Sequence, residues 1–167
     1  INPSGSIDNT FTPPQILAYE GFYLNTMTLG LNGKIIVARN QTSDIYCLNP
    51  NGTLDITFNS QLGSGTIRKL YTQPDGKILV GGYSGCNYCE HRLLNRLNTD
   101  GSIDNTFYAD VNILGGIVET ITTQLDGKIL IGGPFNQNIG GTVVKNIARL
   151  NSDGSLDLSF NTGTSFN

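Results

Sequence analysis

The chain has 167 residues, 38% of them hydrophobic and 14% charged, a balance that fits one packed domain and excludes a disordered polyelectrolyte. Its net charge of −3 and ten scattered Lys and Arg residues give no pull toward phosphate or anionic lipid, so no nucleic-acid partner is expected. No apolar run approaches the ~20 residues of a membrane helix, so no membrane insertion is expected, and three cysteines are too few for a disulfide scaffold.

In chain order, two motifs alternate. The first is the heptapeptide GSIDNTF at Gly5–Phe11, which recurs as GTLDITF at Gly52–Phe58, letter for letter at Gly101–Phe107, and as GSLDLSF at Gly154–Phe160. The second is GLNGKIIVAR at Gly30–Arg39, QPDGKILVGG at Gln73–Gly82 and QLDGKILIGG at Gln124–Gly133. The heptapeptide glycines lie 47, 49 and 53 residues apart, and a steady period of this kind marks a repeat architecture. The repeats run over residues 1–48, 49–97 and 98–150, with a partial fourth at 151–167, all in one domain of 1–167.

Within a repeat, Asp-Gly in PDGK and LDGK sits between two apolar-periodic runs, the signal for a tight hairpin, and a type I′ turn is expected there. The runs IRKLYTQ and KILVGG flank one such turn, and VETITTQ and KILIGG flank the next. DIYCLN, RLLNRLN and KNIARLN supply a third strand, and the heptapeptide a short fourth extended piece. Helical spacing is absent, because Gly or Pro interrupts every run. Four short antiparallel strands at a ~50-residue period describe a β-propeller blade, so the expected fold class is all-β. Phe11, Phe58, Phe107 and Phe160 are expected to pack between blades. Ile1 aligns with Leu48, Leu97 and Leu150, so the chain is expected to begin mid-strand, as a segment of a longer array or as a short subunit whose copies close a ring.

QPDGKILVGG followed by RLNTDGSIDNTF resembles the delta-60 repeat, a bacterial and phage repeat associated with β-propellers, and the likeness spans essentially the whole chain. The first repeat departs at Asn32, where the pattern has Asp, and at Ala38-Arg39, where it has Gly-Gly. The resemblance implies a large secreted, cell-surface or virion protein. It carries over no catalytic residue.

CNYCEH stands outside the repeat grammar. Cys86, Cys89 and His91 could supply three of the four ligands of a tetrahedral zinc site, the fourth coming from Cys47, Glu90 or another chain. A local Cys86–Cys89 disulfide, or two free thiols beside a surface His, is the plainer reading of the same letters. Asp100, Asp104, Asp153 and Asp157 place oxygens on turns, but the copies at Ser4 and Asn51 lack the central Asp, which favours turn closure over calcium.

Asp8, Asp55, Asp104 and Asp157 recur once per repeat, as do Lys34, Lys77 and Lys128, which suits turn closure or bridging of blades. Nothing resembles an oxyanion hole or a phosphate loop, so no enzyme activity is expected. From the second-motif glycine to the next heptapeptide glycine the copies differ, at 19, 25 and 27 residues. The extra length lies in Tyr83–His91 and Pro134–Thr142, read as loops on one face. Tyr83, Asn87, Tyr88, Phe135, Asn136 and Asn138 are the expected contact residues for a protein chain or a surface glycan. The expected role is a non-catalytic structural or interaction module. The alternatives are a glycan- or host-receptor-binding adhesin and a zinc-stabilised assembly.

Overall fold

The computed structural model describes residues 1–17, 23–39, 43–62, 65–83, 94–109, 116–139 and 142–160. Their strands form three antiparallel three-stranded sheets. Blade 1 holds β1 (Leu24–Leu29), β2 (Ile35–Arg39) and β3 (Ile45–Leu48). Blade 2 holds β4 (Thr66–Thr72), β5 (Ile78–Tyr83) and β6 (Leu94–Leu97). Blade 3 holds β7 (Thr120–Thr123), β8 (Ile129–Ile139) and β9 (Thr142–Leu150). The strand order within each sheet follows the chain, so every connection inside a blade is a hairpin.

The fourth extended piece of each blade is shorter than expected. It is a single bridge, Leu48 to Leu54, Leu97 to Ile103 and Leu150 to Leu156. The next residues turn away, with Phe58, Phe107 and Phe160 donating their amides to the carbonyls of Asp55, Asp104 and Asp157.

Period-2 alternation explains the core. On β5, Ile78 and Val80 face blade 1 and pack with Ile36, Ala38, Ile45 and Cys47. Leu79, between them, faces blade 3 and packs with Val118, Ile121 and Ile129. The middle blade is therefore covered on both faces, and its central strand reads as a continuous apolar run. At the inner edge, β1 meets β4, where Thr26 and Thr28 hydroxyls accept from the amides of Leu70 and Thr72 at 3.4 Å. Tyr71 and Thr123 hydroxyls join β4 to β7 at 2.9 Å.

The Asp-Gly turns are not type I′. Gly76 φ is +85°, and among the described residues only Asn32 and Asn146 are non-glycines with positive φ, so Asp75 is right-handed. The amide of Gly76 donates to Gln73 O at 2.9 Å and that of Gln73 to Lys77 O at 2.8 Å. This is a three-residue loop: a type I turn closed by one left-handed glycine. The heptapeptide turns repeat it, with Gly101 N on Asn98 O at 3.0 Å and Asn98 N on Ser102 O at 2.8 Å. The type I′ form occurs where the sequence departs from the pattern. Asn32 has φ 56° and ψ 32°, Gly33 has φ 72°, and Lys34 N bonds Leu31 O at 3.2 Å. Asn tolerates the left-handed region better than most residues, which explains that exception.

Of the four phenylalanines expected between blades, Phe107 is buried in the core of blades 2 and 3, and Phe58 packs against that of blades 1 and 2. Phe11 is 36% exposed. Phe160 lies half-buried under the Arg149 guanidinium, 4.7 Å from its ring centre.

Candidate functional site

Strand register brings the recurring charges together. The bridge of Leu97 to Ile103 sets Arg96 opposite Asp104, whose amide bonds Arg96 O at 2.9 Å. The same register on β5 and β6 places Lys77 within reach. Asp104 Oδ2 accepts from Lys77 Nζ at 2.8 Å and from Arg96 Nε at 2.7 Å, and Oδ1 from the Thr106 amide and hydroxyl at 3.0 and 2.6 Å. Burial pushes the Asp104 carboxyl up, but the bonds from Lys77, Thr106 and Arg96 outweigh it and hold it well below the usual carboxylate range.

Blade 3 repeats the arrangement: Lys128 Nζ and Arg149 Nε each stand 2.7 Å from Asp157 Oδ2. Lysine and aspartate recur visibly in the sequence, and the structure places each pair within one blade. The arginine was missed by that reasoning, because only two of the three copies carry it. Its signal was the shared RLN at Arg96–Asn98 and Arg149–Asn151.

Arg96 also links blades. Its Nη1 donates to the Ser152 carbonyl in the turn of blade 3 at 2.7 Å, and its guanidinium lies 4.6 Å from the Phe107 ring centre. Backbone completes the joint: Thr12, Asn59 and Tyr108 donate their amides to Asn51, Asp100 and Asp153 carbonyls at 2.9, 2.8 and 2.9 Å. The segment leaving each heptapeptide is thus tied to the turn of the next one.

Blade 1 breaks the pattern. Cys47 occupies the register position of Arg96 and Arg149, opposite Asp55, whose amide bonds Cys47 O at 2.8 Å. Lys34 Nζ still pairs with Asp55 Oδ2, and Thr57 with Oδ1. These bonds bring the Asp55 carboxyl down to about 2. Burial pushes the Cys47 thiol up to about 11, so it is protonated at neutral pH and a poor nucleophile. Where the arginine side chain runs in blade 2, blade 1 has a cavity of about 360 Å³, lined by Cys47, Asp55, Lys34, Thr57, Thr99 and Asp100 among others.

The sequence-predicted contact residues divide. Tyr83 ends β5, packs on the core of blades 2 and 3, and carries the Arg68 guanidinium 5.5 Å from its ring centre. Phe135 is a correction: it is 3% exposed and belongs to that same core, so it is withdrawn from the surface by packing. Its segment is strand rather than loop, since β8 continues to Ile139 and pairs with β9 through Asn136–Lys145 and Asn138–Val143. Asn136 is exposed on that hairpin. Asn87, Tyr88, Cys86, Cys89 and His91 lie outside the described residues. Asp100 and Asp153, considered for calcium, each accept the amide and hydroxyl of the serine two residues on, at 2.9 and 2.7 Å. These are turn-closing bonds.

Three stacked antiparallel sheets, each tied to the next by the turn that follows it, define this chain as made of β-propeller blades. It belongs to the family described as "Domain of unknown function (DUF5122) beta-propeller", whose model matches residues 31–58, 73–107 and 124–160. No curated protein matches it. Among solved structures it is similar to a protein of unknown function from Bacteroides caccae, with 21% identity and a TM-score of 0.52. That likeness covers 78% of this chain and 46% of the other, so the chain spans under half the length of the structure it matches. At this identity the shared feature is the fold.

Proposed function

We propose that the chain is a non-catalytic interaction scaffold, a set of delta-60-type blades in a surface-exposed bacterial or phage protein. The recurring Lys, Asp and Arg side chains, the groups most able to do chemistry, bond one another inside each blade. That occupation supports a structural role for them.

The observation that carries an interaction role is Met27. By register it stands where Leu70 and Ile121 stand in blades 2 and 3, since Val37, Val80 and Ile131 are their respective partners. Leu70 and Ile121 are buried against the preceding blade, whereas Met27 is 59% exposed and Leu29 beside it 71%. The face of β1 thus has the apolar character of a blade-to-blade joint. Its partner is a further repeat or another protein chain, and the segments of varying length near Tyr83 and Asn136 are the places for a second contact, with protein or surface glycan.

Protease shaving and cross-linking of intact source cells or virions test this reading together. Peptides of this chain released without lysis, and cross-links from it to another protein or repeat, are expected. A chain protected until lysis and recovered without external cross-links contradicts it.

A further inference from the structure

The cavity beside Cys47 has a known occupant at its equivalent position in the same molecule. In blade 2 that space holds the Arg96 side chain, fixed by Asp104 at one end and the Ser152 carbonyl at the other. In blade 1 the corresponding ends are Asp55 and Thr99, and both line the cavity. The two turns match residue for residue: Asn98-Thr99-Asp100-Gly101 is closed by Gly101 N on Asn98 O, and Asn151-Ser152-Asp153-Gly154 by Gly154 N on Asn151 O, each at 3.0 Å. The Cys47 thiol reaches its neighbour's carbonyl, Leu48 O, at 4.0 Å, and on one methylene it is too short to cross from Asp55 to the next turn. The lining carries two carboxylates, Asp55 and Asp100, against one ammonium, Lys34, so its field favours a cation. A planar fork of donors matches a carboxylate and a carbonyl better than a compact ammonium does.

We propose that this cavity binds a guanidinium group supplied from outside blade 1, which takes the place of the arginine side chain that blades 2 and 3 supply themselves. The group could belong to an arginine side chain of a protein partner or to a small free guanidino compound, and the chemistry of capture is the same.

The test is a thermal-shift and calorimetric titration of the chain at millimolar concentrations of methylguanidinium and of an Ac-Gly-Arg-Gly-NH₂ peptide. Ac-Gly-Lys-Gly-NH₂ at equal ionic strength is the control. Both guanidino probes should raise Tm saturably with one site per chain, and the lysine peptide should bind at least tenfold more weakly. A peptide that binds tighter than methylguanidinium points to a protein partner, and equal binding to a free guanidino compound. Cys47→Arg, which fills the space covalently, should raise Tm and abolish the response. Asp55→Asn should weaken binding at least tenfold if the first variant does not fold. Arg96→Ala should open a second site and double the stoichiometry. An absence of saturable response, or one retained in full by both Cys47→Arg and Asp55→Asn, overturns the proposal.

Discussion

Arg96 reaches from blade 2 into the turn of blade 3: its Nε holds Asp104 at 2.7 Å while its Nη1 holds the carbonyl of Ser152, also at 2.7 Å. One side chain therefore both closes its own blade and fastens the next. The distance between the two anchors is a consequence of register, because Arg96 lies opposite Asp104 on the face of β6 that looks toward blade 3.

Removing the acid from this joint leaves a buried cation without its partner. Asp104→Ala is expected to cost about 3 kcal/mol or more, the usual penalty for breaking a buried pair from one side. Asp8→Ala, at the same motif position, loses only bonds to Thr10 and should cost much less. Urea unfolding of the two variants decides the matter, and equal losses would deny the pair its role.

The left-handed glycines Gly101 and Gly154 of the heptapeptide turns and Gly127 of the LDGK turn should rank by what lies over them. A methyl on Gly154 would stand 2.6 Å from Tyr108 O, and one on Gly101 2.9 Å from the Asn59 carbonyl carbon. A methyl on Gly127 meets nothing nearer than Ser152 Cβ at 3.9 Å. All three are left-handed, so Gly127→Ala carries the backbone cost alone, about 1 kcal/mol. Gly154→Ala and Gly101→Ala should lose roughly 1–3 kcal/mol more from overpacking. Thermal melts that show all three alike would place the joint elsewhere.

Much of this was legible in the sequence. The repeat period points to propeller blades, and the once-per-repeat recurrence of Lys77, Lys128, Asp104 and Asp157 points to a role in the repeat, although nothing in the letters pairs them with one another. Arg96 and Arg149 were not legible as partners, because Cys47 breaks the recurrence and register, not spacing, sets them opposite the acids. The turn type was misjudged because Asp-Gly serves two loop lengths. The choice rests on whether Gln73 pairs with Lys77, which is a property of the sheet. The extra length at Pro134–Thr142 reads as a loop, which would expose Phe135. Alternation along an extended β8 points it inward instead.

The middle blade's central strand is the most sensitive point of the core. Leu79 is fully buried and packs toward blade 3, between neighbours that pack toward blade 1. Leu79→Ala should therefore cost about 2–5 kcal/mol. Amide hydrogen exchange should show lost protection in blade 3 as well as blade 2. Loss confined to blade 2 would mean that the blades do not stabilise one another.

Stability should fall at both ends of the pH range, for opposite reasons. Asp55, drawn down to about 2 by Lys34 and Thr57, contributes stability that is complete above the unfolded value of about 3.9 and disappears as pH falls toward 2. Asp157, held low by Lys128 and Ser159, behaves likewise at still lower pH. Lys34 is raised above 10.5 by its bond to Asp55, so its contribution is complete below that value and is lost as pH rises through the raised one. Burial of the Cys47 thiol adds to the alkaline loss, because it ionises first in the unfolded chain, so urea midpoints should be flat from about pH 5 to 8. A midpoint that rises below pH 4 would contradict it.

Arg96 and Asp104 act as one unit, and a double-mutant cycle measures that directly. Urea unfolding of the wild type, Arg96→Met, Asp104→Asn and the double variant should give a coupling of roughly 1–3 kcal/mol, with the double variant less damaged than the two single losses added together. Single losses that add to within about 0.3 kcal/mol would show that the two residues stand together without holding the blades together.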